Sequence, residues 1–123
     1  AVFADDELLI RAFTEGWIDV VEVPTSDFMP LNPCVDAGEA SSINVASQWR
    51  EAGDVVLIVM DDRAGRMEAK SRGLALIGSA AVIGLAKSRG LVPAARPLLE
   101  QMVASGYFIG PLVVSEVLAN VNE

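Results

Sequence analysis

Apolar positions along the chain switch repeatedly between helical and strand spacing. Acids at Asp5, Asp6 and Glu7 open a short helix that Gly16 closes. Residues 17–23 (WIDVVEV) alternate and are rich in β-branched side chains, which predicts a strand. Pro24, Pro30 and Pro33 then make a loop. Over residues 38–52, Ala40, Ile43, Ala46, Trp49 and Ala52 fall near helical spacing, with Gly53 as the stop. Residues 55–60 (VVLIVM) are a continuous apolar run between Gly53-Asp54 and Asp61-Asp62, the signature of a strand buried on both faces. A helix over 62–72, Gly73, and a short strand over 74–77 follow. Ser79 is a plausible N-cap for a helix running to Arg89, and helices over 94–105 and 111–121 complete the chain.

This βαβαβ order with short connections predicts an α/β fold of three layers, α/β/α, around a parallel sheet. In such sheets binding residues gather at the carboxyl ends of the strands. That rule points at Asp61 and Asp62. The pentapeptide KSRGL occurs at 70–74 and again at 87–91. It is not read as a repeat, because basic residues followed by Gly are what any helix C-terminus favours.

Composition narrows the chemistry. At 123 residues and 13.0 kDa the chain is one domain's worth, and 52% hydrophobic residues place it among globular proteins. It has no histidine and a single cysteine, Cys34. That excludes Ser-His-Asp and Cys-His nucleophiles, His-ligated zinc, disulfide frameworks and thiolate clusters. Catalysis would run on carboxylates, which favour Mg²⁺ or Mn²⁺. The longest apolar stretch, residues 74–86, is too short to span a bilayer, and no secretory signal is visible, so the expected location is cytoplasmic.

The net charge of −8 is unevenly spread. Residues 1–49 hold nine acids and one base, whereas residues 63–96 hold seven bases and only Glu68 among acids. The basic stretch therefore begins directly after Asp61-Asp62. Read simply, these are solvated helix faces and last-turn cations. Read functionally, the stretch forms a phosphate-contacting rim beside a carboxylate site. Asp61, Asp62 and Glu39 carry the same duality, since each stands where a carboxylate can cap or complement a helix start. Trp49 and Tyr107 read first as packing residues, with RNA stacking a secondary role for Tyr107.

Taken together, certain strings are recognisable: DAGEASSINVA at 36–46, VVLIVMDDRAGRMEAKSRGLALIGSAAVIGLAKSRGL at 55–91, the tail at 90–118, and AFTEGWIDVVEV at 12–23. They resemble a PIN-like family of predicted nucleases with a D-x-G-E-A helix and a strand ending in D-D-R-x-x-R. The resemblance runs through nearly the whole chain, as one PIN-like domain over 1–123. It implies a metal-dependent ribonuclease in which Glu39 and Asp61 are catalytic and, with Asp62, hold Mg²⁺ or Mn²⁺. Arg63, Arg66 and Lys70 would then contact RNA or an antitoxin, and a homodimer is expected, as for toxins of toxin–antitoxin pairs. The family's first acid ends an N-terminal strand, so the chain reads as the C-terminal portion of a longer domain. A competing alignment makes residues 2–5 that strand and Asp5 the acid. The alternatives are a catalytically incomplete module that binds RNA or a protein partner, and a receiver-type phosphoacceptor at Asp61. The latter lacks the expected N-terminal acidic pair and the later lysine.

Overall fold

The computed structural model describes residues 7–23 and 29–123. Asp5, Asp6, Pro24 and the alternative first strand at 2–5 lie outside these residues. The elements run α1 (Glu7–Glu15), α2 (Ala37–Glu51), β1 (Leu57–Val59), α3 (Arg63–Ser71), β2 (Ala75–Ile77), α4 (Ser79–Ser88), α5 (Arg96–Ala104) and α6 (Pro111–Asn120). The two strands pair in parallel, Leu57 opposite Ala75 and Val59 opposite Ile77, with α3 as the crossover. Met60 N–H extends the ladder by donating to Ile77 O at 2.9 Å.

Two apolar clusters organise the chain. In the first, Ile43 and Ala46 of α2 and Ala69 of α3 close over Ile58, Met60 and Leu74. In the second, Ala80 of α4, Ala95 and Leu99 at α5, and Val117, Leu118 and Val121 at α6 pack together. Gly84 lets α4 approach α6 closely, because a Cβ there would stand 2.9 Å from Val117 Cγ1. Glu123 locks this second unit. Its carboxylate accepts from Ala95 N–H at 2.7 Å, from Arg96 N–H at 3.3 Å and from Lys87 Nζ at 3.4 Å. The Ala95 bond leads the set that holds the Glu123 carboxyl below the ordinary value, burial opposing it.

Two expectations about strands are corrected. Residues 17–23 form no strand, and among the described residues β1 pairs with β2 alone. Val21 and Val23 line a groove of about 330 Å³ with Trp49 of α2 and the run 56–59, but no backbone ladder joins them. Alternation specifies which side chains share a face and leaves open whether a partner edge is within reach. The apolar run 55–60 is not buried on both faces either. Ile58 and Met60 are buried, whereas Leu57 and Val59 are each 54% exposed, because α2 and α3 cover one face of the strand only. Trp49 stands on the groove wall, half-exposed, instead of in the core.

The KSRGL pentapeptides do act as helix ends. Gly73 and Gly90 follow α3 and α4 with φ of +72° and +71°, a conformation that costs an L side chain energy. Ser79 is not the N-cap of α4. That position is Gly78, and Ser79 is the first helical residue.

Candidate active site

Asp61 leaves the end of β1 and meets the start of α4. Its Oδ1 accepts the Ser79 N–H at 2.8 Å, and its Oδ2 accepts the Ser79 hydroxyl at 2.5 Å. The Tyr107 hydroxyl also donates to Oδ2, across 46 positions of sequence. Asp61 thus satisfies an orphan N–H of α4 that Gly78, without a side chain, leaves unserved. Glycine at 78 leaves room for this contact, since a Cβ would lie 3.1 Å from Asp61 Oδ1 and press on it. Partial burial works against ionisation of Asp61. Against it stand the bonds from the Ser79 hydroxyl, Tyr107 and the Ser79 N–H, together with Arg66, and they hold the carboxyl below its ordinary value. The bond to Asp61 pushes the Tyr107 phenol up, so Tyr107 remains a donor.

The other predicted acids are engaged by their own helices. Asp36 and Glu39 form a reciprocal capping box on α2: Glu39 N–H donates to Asp36 Oδ1 at 2.8 Å, and Asp36 N–H donates to Glu39 Oε2 at 3.0 Å. Asp62 is the N-cap of α3 and accepts from Gly65 N–H at 2.9 Å. Glu39 abuts that same turn, its Cγ and Cδ 3.4 Å from where a Gly65 Cβ would sit. Glu39 thus lies against the first turn of α3, which Asp62 caps, while Asp61 turns toward Ser79 at the start of α4. Among the described residues, no group of three or more acids, cysteines or histidines is placed to hold a metal ion.

The predicted basic residues do converge on Asp61. A cavity of about 520 Å³ is lined by Asp61, Arg63, Arg66, Met67 and Lys70. Arg66 is steadied by donating from Nη1 to Met60 O at 2.8 Å. Other bases of the stretch are structural: Arg72 pairs with buried Glu68, Lys87 with Glu123, and Arg96 with the Glu123 carbonyl. A second cavity of about 410 Å³ shares Asp61 and Arg66 with Phe108, Val113 and Glu116. Glu39 lines neither.

Sequence reasoning missed the roles of Asp36, Ser79, Tyr107 and Glu116. The Asp36–Glu39 box is legible as D-x-x-E before a helix. Ser79 was recognisable as a helix start but not as a partner of Asp61. Tyr107 and Glu116 reach the site through tertiary packing, and no local pattern marks them.

A parallel pair with a carboxylate at the strand end, a helix starting beside it and a cavity lined by basic side chains at its mouth gives an α/β domain with one acid set among three bases. The chain belongs to the PIN domain family: the profile of the DUF3368 family, a PIN domain, matches residues 2–123. Its α/β/α arrangement accounts for the order of helices and parallel strands, and its members are nuclease-type domains that generally use divalent metal ions. No curated protein and no solved structure matches the chain.

Proposed function

We propose that this PIN domain is a Mg²⁺- or Mn²⁺-dependent endoribonuclease, the toxin of a toxin–antitoxin pair, with Asp61 at its reactive centre. The observation that carries this reading is the cavity in which Asp61 faces Arg63, Arg66 and Lys70. The oxygen ligands available to an ion are carboxylates, since the chain has no histidine, and carboxylates favour hard cations, although Arg63, Arg66 and Lys70 share the cavity with Asp61. A carboxylate has about four acceptor positions, and three at Asp61 are taken. An ion there would therefore have to be held through the one remaining position or by displacing a donor, and completed by water and substrate phosphate, as Mg²⁺ often is. Asp61 would be the principal ligand and Glu39 the second, with Asp62 contributing from the cap.

The bound ion would make water a nucleophile at neutral pH and draw charge from the phosphate. Arg63, Arg66 and Lys70 place the phosphodiester against Asp61, and Arg66, anchored on the Met60 carbonyl, does so from a fixed position. The same basic rim offers an acidic antitoxin a surface to cover.

A second reading, a catalytically incomplete module that binds RNA or a protein partner, is favoured by the engagement of Glu39 and Asp62 in helix caps. One experiment separates the two. The purified chain is incubated with single-stranded RNA and Mn²⁺, beside Asp61→Asn and an EDTA control. Cleavage lost in both controls supports the nuclease. RNA retained on the protein without cleavage, at any Mn²⁺ concentration, refutes it in favour of the binding module.

A further inference from the structure

The two cavities that share Asp61 and Arg66 differ in charge. In the first, Arg63, Arg66 and Lys70 outnumber one carboxylate, and that carboxylate already accepts from Ser79 and Tyr107. It suits an anion. The second, of about 410 Å³, has Arg66 as its one base beside Asp61 and Glu116, so a phosphate there would meet a second carboxylate. Much of its remaining wall is apolar: Val117, 8% exposed, belongs to the core, and Phe108, 88% exposed, adds an aromatic ring. Glu116 and Asn120 also line it, four positions apart on α6 and therefore on one face of that helix. Among the described residues neither side chain has a hydrogen-bond or ion-pair partner. An apolar wall, an aromatic ring and a few unengaged polar groups are the lining a nucleobase takes.

We propose that the second cavity is a guanine subsite: the base stacks on Phe108 and gives its N1–H and N2 amino group to Glu116, while a phosphate of the same nucleotide rests among Arg63, Arg66 and Lys70. The inference rests on the reading that this chain acts on RNA, and it needs no cation. Selection follows from the donors and acceptors. A carboxylate offers acceptors only, whereas the Asn120 amide supplies either kind. Guanine alone presents two neighbouring donors on its Watson–Crick edge. Adenine and cytosine set a ring-nitrogen acceptor beside one amino group, and uracil flanks its N3–H with two carbonyls, so each turns a lone pair toward Glu116. A polar group left unpaired in this way is penalised. A cationic peptide side chain, the other partner Glu116 would attract, meets Arg66 in the same cavity and Arg63 and Lys70 in the next. A two-point contact of this kind discriminates against the wrong base by about tenfold or more. Loss of aromatic stacking costs about as much, whatever the base.

The four nucleoside 3′,5′-bisphosphates carry phosphate on both sides of the base. Each is titrated in EDTA into the ¹⁵N-labelled full chain, and dissociation constants are read from the amide spectrum. The subsite predicts that the guanosine compound binds about tenfold more tightly than the other three and shifts amides at 108–110 and 116–120. Glu116→Ala should abolish that preference. Phe108→Ala should weaken all four about tenfold, and Lys70→Ala should weaken all four with the preference kept. Equal affinity for the four, or a guanosine preference that survives Glu116→Ala, overturns the base subsite and leaves the RNA reading standing. Tighter binding of N-acetylarginine amide at the same amides also overturns it and assigns the cavity to a basic peptide. If the parent binds none of the four, the subsite falls. Single-stranded RNA that is then still retained or cleaved keeps the RNA reading, and RNA that is neither removes both. Comparison of the four compounds uses the parent sequence, so it decides the matter even if a variant fails to fold.

Discussion

Replacing Gly84 by alanine sets two effects of known size against each other. Alanine in a helix interior is favoured over glycine by about 0.8–1.0 kcal/mol, so on propensity alone the variant should be more stable. The structure adds a second effect. The new Cβ would lie 2.9 Å from Val117 Cγ1, whereas carbon atoms settle at about 3.5–4.0 Å. Val117 cannot readily turn aside, because it is 8% exposed and a valine in a helix has one strongly preferred rotamer. The strain passes to the separation of α4 and α6 and loosens the cluster formed with Ala80, Leu118 and Val121. Overpacking of this kind costs about 1–3 kcal/mol. The net expectation is destabilisation by about 1 kcal/mol, a fall of roughly 3–5 °C in Tm for a domain of this size. Circular dichroism at 222 nm under heat and under urea measures it. In a Val117→Ala background the clash is gone, and Gly84→Ala should instead stabilise by about 1 kcal/mol. A Gly84→Ala variant as stable as the parent, or the same sign of effect in both backgrounds, refutes the reasoning.

Two further outcomes follow from the site. The Asp61 and Glu123 carboxyls both titrate below their ordinary values in the folded chain, so the stability they contribute is present above the unfolded-state values near pH 4 and lost as pH falls through the folded ones; Asp61→Asn should lose stability less steeply than the parent as pH falls below about 4, and equal slopes there would contradict this for Asp61. Asp62→Ala removes the cap on α3 and should cost about 1 kcal/mol in urea denaturation in metal-free buffer.

Much of the helical framework was legible in the sequence, and the reason is local. The limits of α2, α3 and α4 follow from apolar spacing and from glycines that can adopt positive φ. Strands are less legible, because a ladder needs a partner from elsewhere in the chain. Residues 17–23 carry the side-chain alternation of a strand and still pair with nothing described. The site divides in the same way. A carboxylate directly after an apolar run and a basic stretch after it are neighbours in sequence, and Asp61 with Arg63, Arg66 and Lys70 do share a cavity. Glu39 and Asp62 were read as ligands or caps, and the structure engages each in a cap on its own helix. The contact of Tyr107 with Asp61 spans the chain, and nothing near residue 107 announces it.

The division into two apolar clusters has a consequence for how the chain comes apart. The main packing pairs stay within one cluster or the other: α2 with α3 and β1 on one side, α4 with α5 and α6 on the other. Between them run the short link from β2 into α4 and the hydrogen bonds that Asp61 gives Ser79 and Tyr107 to make. Neither buried cluster includes a residue of the other, so parting the boundary leaves each cluster's own members together. Partial unfolding should therefore begin there, with each cluster opening as its own cooperative unit, and amide exchange would report two plateaus of protection instead of one. Removing the Asp61 carboxylate would sever its hydrogen bonds to Ser79 and Tyr107 and so weaken the coupling between the two units.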